Sequence, residues 1–126
     1  MSAHVIKGVA QVGMVSADAP KLIAFYRDVL GLPVLFEAGG MSFLSAGATS
    51  VMIGASATPV TIGEDPLLYF EPENWAASEA AIEASGVAFE REAMVVQRHE
   101  GREHVLRPFR DPEGRRLYLM GWRPAP

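Results

Sequence analysis

The sequence predicts an α+β fold in which two βαβββ modules pair into a curved mixed sheet around a central cavity. The order strand, helix, strand, strand, strand occurs twice along a chain of 126 residues, which is the size of one domain. Each copy alone would have too little core to fold stably, so pairing of the copies is the natural solution. We therefore predict a single domain over residues 1–126, with modules at about 5–57 and 66–123.

The first module begins with a strand and a capped helix. Val9–Val15 is a run of small and branched residues typical of a strand. Asp18 then stands where a side chain caps the free amides at a helix start. Apolar residues recur at spacings of three and four up to Gly31, which suits a left-handed helix end. Short strands separated by glycine turns are expected next, at Val34–Glu37, Met41–Ser45 and Ser50–Gly54.

The second module repeats this order after a connector at residues 55–66 that is rich in proline and glycine. Leu67–Glu71 is a predicted strand, and Asn74 starts an alanine-rich helix that ends at Gly86. The expected strands that follow are Val87–Arg98, His104–Phe109 and Leu117–Trp122, with turns at Glu100–Gly101 and Asp111–Gly114.

The composition indicates an ordinary globular protein, with 49% hydrophobic and 21% charged residues. The chain has no cysteine, which excludes a disulfide framework, a thiolate metal site and a thiol nucleophile. Its apolar runs fall short of the roughly 18 residues of a membrane span, and the N-terminal segment lacks a cleavage pattern. We expect a cytoplasmic protein with no membrane partner.

The net charge of −4 conceals a basic C-terminal part. Residues 91–126 hold eight arginines against five acidic residues. The acidic residues interleave with the arginines, and no aromatic residue alternates with them as a base-stacking platform would require. We interpret the arginines as a solvated sheet edge and predict no nucleic-acid partner.

Two segments carry a family resemblance: AFYRDVLGLPV at residues 24–34 and RDPEGRRLYL at residues 110–119. In this order, and with the doubled pattern, the chain resembles the vicinal oxygen chelate superfamily, the glyoxalase, bleomycin resistance protein and dioxygenase family. The resemblance covers nearly the whole chain and implies the glyoxalase-like form of the predicted fold. It does not give a function, because this scaffold serves lyases, epimerases, dioxygenases, transferases and drug-binding proteins.

The resemblance also implies where a metal ion would bind, since metal-dependent members use four ligands, usually His, Gln or Glu, on the first and last strands of the modules. Carried over one by one, these positions fall on Gln11, Met52, Leu67 and Tyr118. Thioether, alkyl and phenol groups (phenol pKa about 10) are poor partners for hard divalent ions. We therefore predict no metal site and no cofactor, with a divalent metal only if the chain is an enzyme with atypical ligands.

The same positions outline a small-molecule site. Arg116, Tyr118 and Met120 share one face of the last strand, where tyrosine and arginine can orient a polar ligand while methionine adapts to its shape. Met14 is a further wall candidate, although alternation from Gln11 places it on the helix side. The predicted ligand-binding residues are Gln11, Met52, Leu67, Tyr69, His104, Leu106, Arg116, Tyr118 and Met120.

Several of these residues also have ordinary structural interpretations. His104 shares alternation parity with Leu106, but it also fits a half-exposed histidine near a hairpin end, and Gln11 fits a strand amide bonded to a neighbour. In HEGREH, residues 99–104, Gly101 favours a hairpin turn with His99 in solvent rather than a zinc site. Trp75 is most simply a packing or interface residue.

Three functional hypotheses remain. The leading one is a metal-independent small-molecule-binding protein, bleomycin-resistance-like in kind. The second is a glyoxalase-type metal-dependent lyase or isomerase with atypical ligands, in which Tyr118 is the candidate general acid. The third is an accessory module with a vestigial cavity. Whether the chain is an enzyme stays open, and the resemblance implies a homodimer.

Overall fold

The computed structural model describes residues 9–55, 63 and 66–126, and its contacts divide the chain into two compact units, residues 1–59 and 60–126. Each unit has the order strand, helix, strand, strand, strand, which confirms the α+β class and the two βαβββ modules. The predicted module start at residue 5 and most of the connector at 55–66 lie outside the described residues.

The first unit contains β1 (Gln11–Ser16), α1 (Ala19–Ala24), β2 (Val34–Ala38), β3 (Met41–Ala46) and β4 (Thr49–Ala55). The second contains β5 (Leu68–Phe70), α2 (Trp75–Ala84), β6 (Met94–His99), β7 (Arg102–Arg110) and β8 (Arg116–Pro124).

Each unit is built on one four-stranded mixed sheet, with strand order β1-β4-β3-β2 in the first and β5-β8-β7-β6 in the second. The first and last strands of each module are parallel neighbours, and the remaining pairs are antiparallel. Gln11 and Met52 therefore lie on adjacent strands of one sheet, and Tyr69 and Tyr118 on adjacent strands of the other.

Both helices start at the predicted caps. The Asp18 carboxylate accepts a hydrogen bond from the backbone N–H of Lys21 at 3.2 Å, and the Asn74 side chain accepts one from Ala77 at 3.0 Å. After Ala24 the first helix continues as a π-helix over Phe25–Val29. No helix in the described part of the chain is long and apolar enough to cross a membrane.

The strand predicted at Val87–Arg98 starts later, at Met94. The preceding residues make other contacts: the Glu90 N–H donates to the Pro108 carbonyl at 2.8 Å, and the Phe89 ring lies 4.4 Å from the Arg107 guanidinium. This segment therefore packs against β7 through single contacts and has no strand pairing of its own until Met94.

The predicted turn at Asp111–Gly114 is held by charged side chains, of which Asp111 and Arg115 are buried. One Asp111 carboxylate oxygen accepts the backbone N–H groups of Glu113 at 2.8 Å and Arg115 at 3.1 Å. The Arg115 guanidinium reaches the Asp111 carboxylate at 3.4 Å and that of Glu113 at 2.7 Å. The Asp111 and Arg115 side chains are 0% and 3% exposed, so this pair fixes the entry into β8 from within the protein.

Each sheet has a helix side that carries the core. In the first unit this side holds Leu22, Tyr26, Leu44, Val51 and Ile53, and in the second Trp75, Ile82, Val105, Phe109 and Leu117. The burial of Trp75, which is 6% exposed, confirms its predicted packing role. We call the opposite side of each sheet its open face, and most of its side chains are half-buried or exposed.

Gly121→Ala is expected to lower the free energy of unfolding by about 1–3 kcal/mol, because the core has no room for a methyl group there. A Cβ atom at Gly121 would lie 2.8 Å from Cδ of Pro72, whose ring is rigid. Chemical denaturation of purified variants measures the change. Gly13→Ala is the control, since its Cβ would meet only the flexible Met52 methyl group, at 3.1 Å. Equal stability of the two variants would contradict this packing.

Candidate functional site

The open face of the second unit collects most of the predicted ligand-binding residues. Along β8, half-buried Arg116, Tyr118, Met120 and Trp122 alternate with buried Leu117, Leu119 and Gly121. Across the sheet, Pro108 pairs with Tyr118, Leu106 with Met120, and His104 with Trp122. This alternation brings together Tyr69, His104, Leu106, Arg116, Tyr118 and Met120 on one surface. Leu67 lies just before β5 and is exposed.

Two tyrosines form the centre of this face. Tyr69 and Tyr118 are register partners on β5 and β8, and their rings stack with centroids 4.5 Å apart and planes 6° from parallel. Tyr69 is 51% exposed, while Tyr118 is half-buried. This tyrosine pair is therefore an aromatic stack on the open face, and its more exposed ring lies on the edge strand β5.

A second aromatic pair lies further along β8. The His104 imidazole stacks on the Trp122 indole, with centroids 4.8 Å apart and planes at 25°. His104 thus lies on the open face and is also half-exposed near a hairpin end, so both features expected of it hold. Between the two aromatic pairs lie the side chains of Met120 and Leu106. The pairs are four positions apart along β8, about 13 Å in an extended strand.

A charged group borders the tyrosine pair on the other side. The Glu90 carboxylate accepts hydrogen bonds from Arg110 at 2.9 Å and from Arg116 at 3.3 Å. Partial burial acts to raise the pKa of Glu90, but the hydrogen bonds from the two arginines outweigh it and hold the pKa below its usual value. Glu90 is therefore ionised at neutral pH and holds both guanidinium groups in place. No local sequence pattern indicates this role, because Glu90 is distant in sequence from both arginines.

The open face of the first unit carries the other two predicted ligand-binding residues. The Gln11 amide N–H donates to the Met52 sulfur at 3.6 Å. On the same face, Phe36 and Phe43 stack with centroids 4.4 Å apart. Met14 is 3% exposed and lies in the core on the helix side, so its assignment as a ligand wall is wrong. Strand alternation from Gln11 explains this position.

The four positions at which the family resemblance implies metal ligands carry side chains that do not suit a hard divalent ion. Gln11 donates its amide to a thioether, Leu67 offers hydrocarbon, and the Tyr118 ring is packed against another tyrosine. Within residues 9–55 and 66–126, no three His, Asp or Glu side chains come close enough together to hold an ion. That the protein functions without a metal ion remains a prediction, which is based on the poor metal-binding chemistry of these side chains.

Most arginines of the basic C-terminal part form ion pairs with acidic residues of the same chain. Arg107 contacts Glu79 at 2.7 Å and Arg123 contacts Glu103 at 2.8 Å, and Arg107 and Arg115 are mostly buried. The interpretation of the arginines as a solvated sheet edge is therefore wrong for Arg107 and Arg115, because carboxylates of α2 and of the Asp111 turn pair with their guanidinium groups. His99 is exposed in its hairpin, as predicted.

The first unit also contains a cleft of about 460 Å³ between the start of α1 and the β2–β3 turn. Ile23 and Met41 contribute to its wall, and the Glu37 carboxylate at the cleft accepts a hydrogen bond from Ser42 at 3.2 Å. Its lining comes from segments that are separate in sequence, so the sequence pattern did not predict this cleft.

Solved structures of several other proteins share the fold of this chain. An integron cassette protein from the mobile metagenome of V. cholerae shares the fold with a TM-score of 0.77 at 18% identity, covering 94% of this chain and 98% of that one. Lactoylglutathione lyase from Agrobacterium tumefaciens matches with a TM-score of 0.70 at 18% identity, over 93% and 95% of the two chains. TnmS3, an antibiotic-binding protein from Streptomyces sp. CB03234, matches with a TM-score of 0.70 at 18% identity, over 94% and 98%. These likenesses show the fold.

The sequence comparisons identify the family. A search of curated proteins finds no match to the chain. The family profile of the Glyoxalase/Bleomycin resistance protein/Dioxygenase superfamily matches residues 8–119. This match spans both βαβββ modules and agrees with the resemblance seen at residues 24–34 and 110–119. The chain therefore belongs to the Glyoxalase/Bleomycin resistance protein/Dioxygenase superfamily.

Proposed function

We propose that the protein binds a small organic molecule without a metal ion, in the manner of the drug-binding rather than the metal-dependent members of its superfamily. The observation that carries this proposal is the tyrosine pair. Tyr118 stands at the position where metal-dependent relatives place a carboxylate, and its ring is stacked on Tyr69 at 4.5 Å. A stacked phenol ring contributes aromatic surface rather than a metal ligand.

The neighbours of the tyrosine pair support a binding role. Met120 and Leu106 supply adaptable apolar surface beside it, and the arginines held by Glu90 supply charge. A structural relative, TnmS3, is an antibiotic-binding protein, so this fold accommodates binding of that kind. Lactoylglutathione lyase has the same fold, so the fold alone does not separate binding from catalysis.

The alternative is a metal-dependent lyase or isomerase of the glyoxalase type, with Tyr118 as general acid. It would require ligands other than the groups at Gln11, Met52, Leu67 and Tyr118. We favour the binding role because these four side chains are weak donors for a metal ion, and because Tyr118 is part of an aromatic stack.

A thermal-shift screen of a small-molecule library on chelator-treated protein tests the proposal. A ligand that binds the native state alone raises the free energy of unfolding with the logarithm of its concentration, by about 2.7 kcal/mol at 100 times its Kd, and therefore raises the melting temperature. We expect stabilising compounds whose effect is the same with and without added divalent metal. A silent library, or stabilisation that appears only with metal, would contradict the proposal and favour the vestigial or the enzymatic alternative.

We further propose that the protein acts as a homodimer in the cytoplasm. The basis for the dimer is the common behaviour of the superfamily. Sedimentation velocity at micromolar concentration measures the assembly state, and a single monomeric species would contradict the dimer.

A further inference from the structure

We infer that Gly13 is the floor of a contact site on the open face of the first unit, which takes the ring of a neutral aromatic ligand with a carbonyl group. This inference rests on the proposed function, since it adds a residue and a ligand class to the predicted binding residues Gln11 and Met52. Two observations carry it: a glycine that its strand does not require, and an amide group whose hydrogen-bond acceptor is a thioether.

The fold of the first unit does not explain the glycine at position 13. Gly13 lies inside β1 and does not have the positive φ angle at which glycine is favoured over other residues. Glycine inside a strand lowers stability, because it loses more conformational freedom on folding and has no side chain to pack. Such a glycine often marks a place where another group approaches the backbone closely.

The group that lies above Gly13 is the side chain of Met52. The two residues are register partners on β1 and β4, and a Cβ atom at Gly13 would lie 3.1 Å from the Met52 methyl carbon. Gly13 is exposed and Met52 is half-buried, so the methyl group does not close this space. Methionine is unbranched and flexible, so the thioether can turn aside for a ligand ring and then contact its edge through sulfur.

Gly54 on the same open face shows how a glycine required by packing differs. A Cβ atom there would lie 2.9 Å from Cγ of Met41, which is close to the backbone end of that side chain. Gly54 is buried, whereas Gly13 is exposed and would contact only the mobile end of a methionine. Of these two glycines, only Gly13 therefore leaves accessible space above the sheet.

The surroundings of Gly13 favour a neutral ligand with one ring. Gln11 and Val15 are the next open-face residues along β1, and they are four positions apart, about 13 Å in an extended strand. This spacing leaves room for one ring between them. In β1, β3 and β4 the open-face side chains are all uncharged, and they are glutamine, serine, valine, methionine and phenylalanine beside the glycines. A charged ligand would lose water there without gaining an opposite charge.

The Gln11 amide favours a carbonyl group on that ligand. Its N–H donates to the Met52 sulfur at 3.6 Å, and a thioether sulfur is a weak acceptor. A carbonyl oxygen accepts the same N–H more strongly, so the amide gains a better partner when Met52 turns aside. Gln11 lies two positions from Gly13, about 7 Å along the strand, so a carbonyl attached directly to the ring points toward it.

Three matched probes test the ligand class. They are acetophenone, α-methylstyrene, in which a CH2 group replaces the carbonyl oxygen, and benzoate, which has a similar shape and a negative charge. We expect acetophenone to bind about fivefold more tightly than either of the others. Amide chemical shifts of the 15N-labelled full-length protein measure the affinities, and the largest shifts are expected around Gly13. Equal affinity for acetophenone and α-methylstyrene overturns the carbonyl contact, and equal affinity for acetophenone and benzoate overturns the preference for a neutral ligand.

Gly13→Val tests the floor of the site. Valine suits a strand and fills the space above β1, so we expect a melting temperature equal to or above that of the unmodified protein, together with at least a tenfold loss of acetophenone affinity. Gly63→Val is the matched control with unchanged affinity, because Gly63 is exposed and a Cβ atom there would meet nothing within 4 Å. Gln11→Leu is expected to remove the preference for acetophenone over α-methylstyrene. Unchanged acetophenone affinity in Gly13→Val, or a melting temperature as low as that of Gly121→Ala, would overturn the inference.

The outcomes separate this inference from the proposed function. If acetophenone causes no shifts around Gly13 while other compounds stabilise the chelator-treated protein, the contact site is wrong and the binding function stands. If no compound of any kind stabilises the protein, both fail.

Discussion

Asp111→Ala is expected to lower the free energy of unfolding by about 3–5 kcal/mol, because it removes a fully buried carboxylate that accepts two backbone N–H groups and is one of the two carboxylates paired with the buried Arg115 charge. The Asp111 side chain is fully buried, and it also accepts the backbone N–H groups of Glu113 and Arg115. Removing it leaves two amide donors and part of a guanidinium unsatisfied in the interior. Urea denaturation of the purified variant measures the loss.

The exposed ion pair between Arg27 and Asp28 provides a matched control. Its N–O distance is 2.8 Å, shorter than that of the buried pair, but both side chains are about half exposed or more. Solvent-exposed pairs contribute little to stability, so Asp28→Ala is expected to unfold at the same urea concentration as the unmodified protein. A loss in Asp28→Ala as large as that in Asp111→Ala would show that burial of the Asp111 turn is not the cause.

Tyr118→Leu is expected to weaken binding of the most stabilising compound from the thermal-shift screen by about tenfold or more, because it removes one ring of the tyrosine pair and leaves Tyr69 without its stacking partner. Tyr118→Phe keeps the ring and removes the hydroxyl group, so it is expected to bind the same compound with nearly unchanged affinity. Calorimetric titration of both variants measures the two effects.

The comparison of these variants also separates binding from catalysis. A general acid acts through its hydroxyl group, so a catalytic Tyr118 would make Tyr118→Phe inactive toward a substrate that the unmodified protein converts. Loss of binding of the screened compound in Tyr118→Phe would show that the hydroxyl group, rather than the aromatic ring, holds the ligand.

Local chemistry made much of the fold predictable. The caps at Asp18 and Asn74 and the helix ends at Gly31 and Gly86 depend on neighbouring residues alone, and all four are confirmed. Strand alternation likewise predicted that Tyr118 lies on the other face of the last strand from Leu117 and Leu119, and β8 has this arrangement. A period of two follows from the pleated backbone and needs no knowledge of partners.

Features set by contacts distant in sequence were not predictable. Glu90 joins Arg110 and Arg116, and Tyr69 stacks on Tyr118, but these pairings depend on strand register that the sequence does not show. The late start of β6 has the same cause, because the segment before Met94 follows contacts with β7 rather than its own strand propensity. The ligand-binding roles of the predicted site residues, from Gln11 to Met120, therefore remain predictions.

The metal content of the purified protein tests the central claim most directly. Protein purified without chelator is analysed by elemental mass spectrometry, and binding of the most stabilising compound from the thermal-shift screen is then measured by calorimetry before and after dialysis against EDTA. We predict much less than one divalent ion per chain and the same affinity in both titrations. One tightly held ion per chain, whose removal abolishes binding and whose return restores it, would contradict the account.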